Sequence, residues 1–536
     1  MFCFSLQGLF GMKTRLFDQP NFYYVLFAVL LIPALLINLG VHHMFIHTDE
    51  SRRALVALEM ILSDQYIAPT LNGEFYYNKP PLYNWIMALS FKLFGSYSNF
   101  AVRFPVVVAI IAFGIAIYRF IAPVKGKAFA WLVIIATITS GRILFYDSFL
   151  GLIDVAFSVL IFINFMLFYT LGRQGASLKL FAVSYFLMAV AYLMKGLPPV
   201  VFQFFTLVAW AVFMRDWKLL FHRTHFLGVL FFILPVGLYY YFYLQINPGS
   251  AENLFTTVFS ESSKRTVTDH SWLDNLKAIF LFPLENMYHF APWTLLVFIL
   301  FAKGTWRKLW ADDFSRFAIL VFGLNILVYW TSPGVHPRYL FMFLPLFFAV
   351  LFQAMSQAGG RFERVLQRVV FVVMLLVLAT PAVAMIYAND AGISAFQIKL
   401  IVTFAGMLLI CALYLRRPAF RWLILGIFLL VLRIGFDWVM LPNRDARGRG
   451  YQADAEKVAS VVGDEPVYLL GPNYTHDATS FVISRARDQI LSVSDSAKAD
   501  TFYIVHESYF NPEMHQDYLK FRTKSDDYFL FLIKLK

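Results

Sequence analysis

Cysteine is nearly missing from this 536-residue sequence: Cys3 and Cys411 are the only two. One sits near the N-terminus and one in an apolar segment, which argues against a disulfide framework and leaves the redox compartment unread. Charge is scarce as well. Asp, Glu, Lys and Arg make up 15% of the residues, against 60% hydrophobic. Ordinary globular chains are roughly 45–50% apolar. Most of this chain therefore belongs in lipid, where a helix satisfies its own backbone polar groups. Internal repeats, low-complexity segments and a Gly-rich phosphate loop are all absent. The net charge of +12 does not point to nucleic acid, because no soluble domain is large enough to carry a basic face.

What is present is a series of apolar stretches long enough to cross a bilayer, at about 20 residues each. Thirteen spans are expected, near 22–46, 100–122, 128–146, 151–172, 179–195, 198–214, 226–245, 291–302, 316–331, 338–356, 368–388, 396–415 and 420–441. Phe22–Ile46, preceded by Lys13 and Arg15, is about 25 residues long. That exceeds the 7–15 of a signal peptide, and no small-x-small site follows, so it reads as a retained first span.

Charge then orients the series. With the N-terminus inside, alternate loops carry Lys125/Lys127, Arg173/Lys179, Arg215/Lys218/Arg223, Lys303/Arg307/Lys308/Arg316, Arg361/Arg364/Arg368 and Arg416/Arg417/Arg421. All become cytoplasmic, as the positive-inside bias requires. Counting Pro80–Phe94 as a further span reverses that assignment, so it is expected as a helix lying at the interface. The long loops 47–99 and 245–290, and everything after Leu441, then fall on the outer face.

The fold class expected is an all-α polytopic membrane protein with a small C-terminal α/β domain. The membrane domain takes residues 1–441. PNRDARGRG reads as a linker, and the soluble domain takes residues 442–536, where AEKVASVV, PVYLL, TFYIVH and YFLFLIKL alternate helix-like and strand-like runs.

Polar chemistry gathers in the first outer loop. Asp49 and Glu50 follow the first span. Asp49 suits a helix N-cap or an ion pair with Arg53 four residues on; it equally suits a general base at the membrane boundary. Lys79 precedes Pro80-Pro81, which fix the backbone; it reads as a snorkelling side chain or a phosphate ligand. Asp147 and Asp154, in YDSFLGLIDVAF, are seven apart and expected on one helix face. Carboxylates are expensive in a span unless they face protein or water. Arg338 and Tyr339, in SPGVHPRYLFMFLPL, read as an interfacial pair or as a phosphate fork with its neighbour. Lys195-Gly196 gives a weaker signal. Arg433 and Asp437 read as a structural pair.

Thr48–Pro105, TDESRRALVALEMILSDQYIAPTLNGEFYYNKPPLYNWIMALSFKLFGSYSNFAVRFP, resembles the first loop of the lipid A aminoarabinose transferases. It is more distantly similar to the protein O-mannosyltransferases. Both are integral-membrane glycosyltransferases of the GT-C fold. The acidic pair, the spacing to Lys79-Pro80 and the NFAVRFP exit carry the likeness, which is looser along the other spans.

The resemblance implies a polyprenyl-phosphate sugar donor, with undecaprenyl phosphate as carrier, and a lipid, glycan or protein acceptor in the cell envelope. It implies transfer with inversion, in a bacterial inner membrane, with the active site and C-terminal domain on the periplasmic side. It assigns Asp49 and Asp154 as catalytic carboxylates, with Asp147 the alternative to Asp154. Glu50, Asp147, Tyr77 and Tyr339 would orient acceptor or donor. Lys79, Arg265 and Arg338 would bind the donor phosphate.

The sequence departs from the family at Asn78 and Ser262, where the transferases carry a Glu and a His that ligate metal. An amide and a hydroxyl are poor replacements at a zinc-type site. No zinc is expected, magnesium or manganese is left open, and no other cofactor is implied. Two rival readings remain: a transporter or flippase for lipid-linked sugar, and a non-catalytic binder of such lipids. The outer-loop placement of the charges and the lack of a repeat disfavour the transporter.

Overall fold

The computed structural model describes residues 19–41, 48–254, 256–257, 272–332, 335–358, 360–387, 395–471, 476–522 and 529–535. The chain opens with helix α1 (Pro20–Leu36) and continues through α2 (Thr48–Leu62), the hairpin β1–β2 (Thr70–Leu71, Glu74–Phe75) and α3 (Leu82–Phe94). Next come α4 (Asn99–Lys125), α5 (Lys127–Ile138), α6 (Gly141–Phe145), α7 (Asp154–Thr170), α8 (Leu178–Lys195), α9 (Pro198–Met214) and α10 (Arg223–Ile246). After them run α11 (Trp272–His289), α12 (Thr305–Ala311), α13 (Asp313–Trp330), α14 (Leu344–Gln357), α15 (Gly360–Tyr387), α16 (Phe396–Arg416) and α17 (Arg421–Val462).

Among the described residues, nine helices are long and apolar enough to cross a membrane, or ten if a bent pair counts as one span. The expected count of thirteen full spans is not confirmed among the described residues. Two of the expected segments, α1 and α9, are shorter apolar helices. The 291–302 segment is a nine-residue 3-10 helix, Trp293–Phe301. The bent pair is Lys127–Ile138 with Gly141–Phe149, broken by 51°. At the break, the Thr139 hydroxyl donates to the Ile135 carbonyl and the Ser140 hydroxyl to that of Thr137. Such back-bonding competes with helix propagation. Hydropathy marks each apolar segment but does not fix where its backbone turns.

Helix α3 has 13 residues, about 20 Å at 1.5 Å per residue and short of the roughly 30 Å hydrocarbon core. It stops at Gly95, whose φ of +56° terminates it in the left-handed region.

The two ends of the bundle differ in chemistry. At the start of α4, Arg103 meets Glu50 of α2. At its far end, Lys125 pairs with Asp312 at 2.6 Å, and nearby Arg173 reaches Asp313 at 2.8 Å. Three of the basic loops assigned to one side by charge, those holding Lys125, Arg173 and residues 303–316, thus meet at one end, and the acidic first loop lies at the other.

The last helix does not stop at the expected linker. Helix α17 runs unbroken for 42 residues, with Pro442 inside it. The stretch reads as a linker because of its Gly and Arg, yet i,i+4 partners support a helix there: Arg449 with Asp445 at 3.1 Å and Gln452 with Glu456 at 2.6 Å. Beyond it, β3 (Val467–Leu470), α18 (Asp477–Arg487), β4 (Ser492–Ser494), β5 (Phe502–His506), β6 (His515–Arg522) and β7 (Phe529–Leu535) form the α/β region. The five strands lie in the order β4-β3-β5-β7-β6. Strands β4, β3 and β5 are parallel, while β7 and β6 run antiparallel.

This region docks on the first loop. Asp477, at the start of α18, accepts from Arg52 of α2 at 3.0 Å. The Val493 N–H donates to the Asn72 carbonyl at 3.1 Å. Gly73, at φ +78°, lets the hairpin tip touch the sheet, since a Cβ there would lie 2.6 Å from the Ser492 hydroxyl.

Candidate active site

Asp49 lies in the first turn of α2, where the helix N-terminus favours a carboxylate. Its Oδ2 accepts from Arg338 Nη2 at 2.7 Å. Arg338 belongs to the 3-10 helix Pro337–Phe343, and its Nε lies 3.4 Å from Asp154 Oδ2. Asp154, at the start of α7, accepts on its other oxygen from Lys195 Nζ at 2.6 Å. Lys195 closes the C-terminus of α8, with Nζ 4.2 Å from the centre of the Tyr339 ring. Four charged side chains from four elements thus form one chain: Asp49, Arg338, Asp154, Lys195. Only its first member is open, the Asp49 side chain being 46% exposed and that of Asp154 7%. Sequence reasoning gave Lys195 little weight. Its signal was there: a Lys ending an apolar helix needs a carboxylate if it is to be buried.

Glu50, read as an orienting residue, lies elsewhere. It is fully buried and takes Arg103 at 2.8 and 3.2 Å in a two-pronged contact. Its Oε1 also accepts from the Gly151 N–H at 2.7 Å. Gly151 is required there, since a Cβ would stand 2.8 Å from Val102. Residues 150–152, beside this contact, lie outside any helix. Asp147 and Asp154 therefore do not share a helix face: Asp147 sits in a 3-10 turn, Asp147–Phe149, before α7 begins. Asp147 is buried and accepts from Arg142 Nε at 2.6 Å. The same turn is pinned from behind by the buried Arg433–Asp437 pair. Arg433 lies over the Phe149 ring at 3.4 Å and donates to the Ser148 hydroxyl at 3.0 Å.

Lys79 is half-buried between the hairpin and α3. Glu59 shapes that loop. Its carboxylate accepts from the Thr70 hydroxyl and the Asn72 and Gly73 N–H groups at 2.6, 2.7 and 3.2 Å. Burial pushes its pKa up to about 7 against those hydrogen bonds. Tyr77 accepts on its hydroxyl from Asn247 at 3.0 Å, which ties the loop to the end of α10. Asn78 is exposed. Arg265 and Ser262 lie outside the described residues, so the third phosphate ligand and one family metal position are not placed. Among the described residues no three His, Cys, Asp or Glu side chains converge as metal ligands. With an amide at Asn78, the donor set does not fit a zinc-type site.

Beside Asp147 a groove of about 490 Å³ opens between α6, the segment after α11, α15 and α17. Val373, Met374, Val377 and Phe428 line it, as do the polar Arg142 and His289. It suits an alkyl or prenyl chain.

Known proteins resemble this chain in sequence and fold. Residues 78–240 match the family model of dolichyl-phosphate-mannose-protein mannosyltransferases, a region holding Lys79, Asp147, Asp154 and Lys195. The undecaprenyl phosphate-alpha-4-amino-4-deoxy-L-arabinose arabinosyl transferase of Edwardsiella ictaluri is 28% identical over 178 residues, 32% of either chain. The same transferase of Pseudomonas savastanoi is 41% identical over 70 residues, 13% of either chain. The alignments thus span about a third or less of these curated relatives. The crystal structure of ArnT from Cupriavidus metallidurans bound to undecaprenyl phosphate superimposes with a TM-score of 0.70. The match covers 96% of this chain and 98% of that one, at 18% identity. The chain has the ArnT fold, and the resemblance to aminoarabinose and O-mannosyl transferases extends well beyond the first loop.

Proposed function

We propose that this chain is an integral-membrane glycosyltransferase that moves one sugar from a polyprenyl-phosphate donor to an acceptor at the outer, periplasmic face of a bacterial inner membrane. One observation carries the reading: an open Asp49 is held by Arg338, which is in turn held by Asp154 and Lys195, on the ArnT fold. The meeting of basic loops at the opposite end of the bundle supports the periplasmic side.

The chemistry follows from exposure. An acceptor hydroxyl attacks the anomeric carbon while the half-exposed Asp49 carboxylate takes its proton. The bond from that carbon to the phosphate oxygen breaks, and polyprenyl phosphate leaves with the electron pair. Lys79, Arg265 and Arg338 are the cations assigned to neutralise the leaving phosphate; such electrostatic work is commonly the largest single contribution to catalysis. Asp154, almost closed to solvent, orients Arg338 and Lys195. Tyr77 and Tyr339 form walls around the reacting groups. The groove beside Arg142 takes a lipid chain.

The test supplies purified protein with a panel of polyprenyl-phosphate monosaccharides and a membrane-glycolipid extract. Mass spectrometry follows any acceptor gaining one sugar, with Asp49→Asn run alongside. A gain with wild type alone is expected. Tight donor binding with no gain from any donor would return the chain to the non-catalytic binders.

A further inference from the structure

Four arginines are buried among the described residues: Arg53, Arg103, Arg338 and Arg433. Three hold carboxylates, namely Glu50, the Asp49–Asp154 pair and Asp437. Arg53 does not. It is 7% exposed, its Nη1 is buried without a hydrogen-bond partner, and no ion pair joins it to any other described residue. Removing a lone charge from water costs several kcal/mol. A fold that keeps such a group has a use for it or receives its counter-charge from outside.

The position of Arg53 says where that counter-charge would come from. It stands four residues beyond Asp49 on α2, so the two share a helix face at the candidate site. The Tyr83 hydroxyl is fully buried and also lacks a partner. Tyr83 is within electrostatic reach of Arg53, Glu50 and Asp154, and Tyr76 is within reach of Arg53 and Asp49. Two unsatisfied groups able to donate, one cationic, are therefore within electrostatic reach of each other and of the site carboxylates. What satisfies both is an acceptor with negative charge.

We propose that Arg53 binds an oxyanion of the substrate, with the Tyr83 hydroxyl as its second donor. The oxyanion is either the donor phosphate or a carboxylate on the transferred sugar. This rests on the reading of the Asp49 site as a sugar-transfer centre. It adds a cation that sequence reasoning saw only as a helix-face partner for Asp49.

The experiment measures binding without turnover, so that it is read separately from transferase activity. Full-length wild type, Arg53→Met and Arg53→Lys are titrated in detergent with undecaprenyl phosphate, undecaprenyl-phosphate glucose and undecaprenyl-phosphate glucuronic acid. A charge-assisted hydrogen bond is worth about 10-fold or more in affinity. Arg53→Met is expected to lose that factor, and Arg53→Lys to recover part of it. Loss with all three lipids assigns the phosphate; loss with the glucuronic acid lipid alone assigns the sugar carboxylate. Affinities within about two-fold of wild type for every lipid, by the same measure, would overturn the proposal. Melting temperatures are taken alongside, because a methionine in place of a lone buried charge should hold or raise stability. A marked drop in Arg53→Met with unchanged binding in Arg53→Lys would make Arg53 a packing residue and overturn the proposal equally. If wild type binds but transfers no sugar, the transferase reading fails while the Arg53 result stands.

Discussion

Asp49 and Glu50 are neighbours in sequence and have opposite surroundings. The Asp49 side chain is about half exposed, and its partner Arg338 arrives from 289 residues away. Glu50 has no exposed surface; it takes Arg103 on both oxygens and a backbone N–H besides. A helix turns about 100° per residue, so adjacent acids point to different sides. One is half exposed beside Arg338 and the other faces the seam between α2, α4 and Gly151. An acidic pair in a sequence is thus two separate questions.

The contrast breaks most visibly in rate. Asp49→Asn should lower sugar transfer on the order of 10³-fold, within the range for a positioned base, and leave the melting temperature near wild type. Initial rates and thermal unfolding in detergent check both halves. Next in size, Glu50→Ala should destabilise the fold by about 3–5 kcal/mol, because Arg103 stays buried without its partner. Pairing it with Arg103→Met should recover most of that loss, and failure to do so would mean that Glu50 acts through something other than Arg103.

Glu59 sharpens the comparison along the pH axis. Its folded pKa, about 7, lies above that of an unfolded Glu. The native state therefore holds this proton more tightly, and stability falls as pH rises from about 4.5 through 7. Glu59→Gln should flatten that part of the melting-temperature profile between pH 5 and 8. A profile as steep as wild type would assign the dependence to another group. Smallest is the partly exposed Arg52–Asp477 pair, for which a double-mutant cycle should return about 1 kcal/mol or less.

Much of this was readable from residues alone. Apolar runs located the membrane segments, and charge placed the loops on two sides. The loop motif singled out Asp49 and Lys79. What resisted reading depends on contacts between distant parts of the chain. Lys195 becomes part of the site only because α8 ends beside α7. Gly151 breaks a helix face only because Glu50 and Val102 stand against it. Arg103, inside the recognised NFAVRFP exit, carries no sign of which acid it will meet. The 442–450 stretch looks like a linker because Gly and Pro outweigh i,i+4 pairing in any local estimate.

That last helix has a mechanical meaning. Forty-two residues make a rod about 63 Å long at 1.5 Å per residue, roughly twice the depth of the hydrocarbon core. The five-stranded sheet is therefore mounted on a shaft whose lower half is a membrane segment. Arg433 and Asp437 sit on that lower half and grip the Ser148–Phe149 turn. Strain applied to the C-terminal α/β region has a continuous helical route to the turn that begins with Asp147.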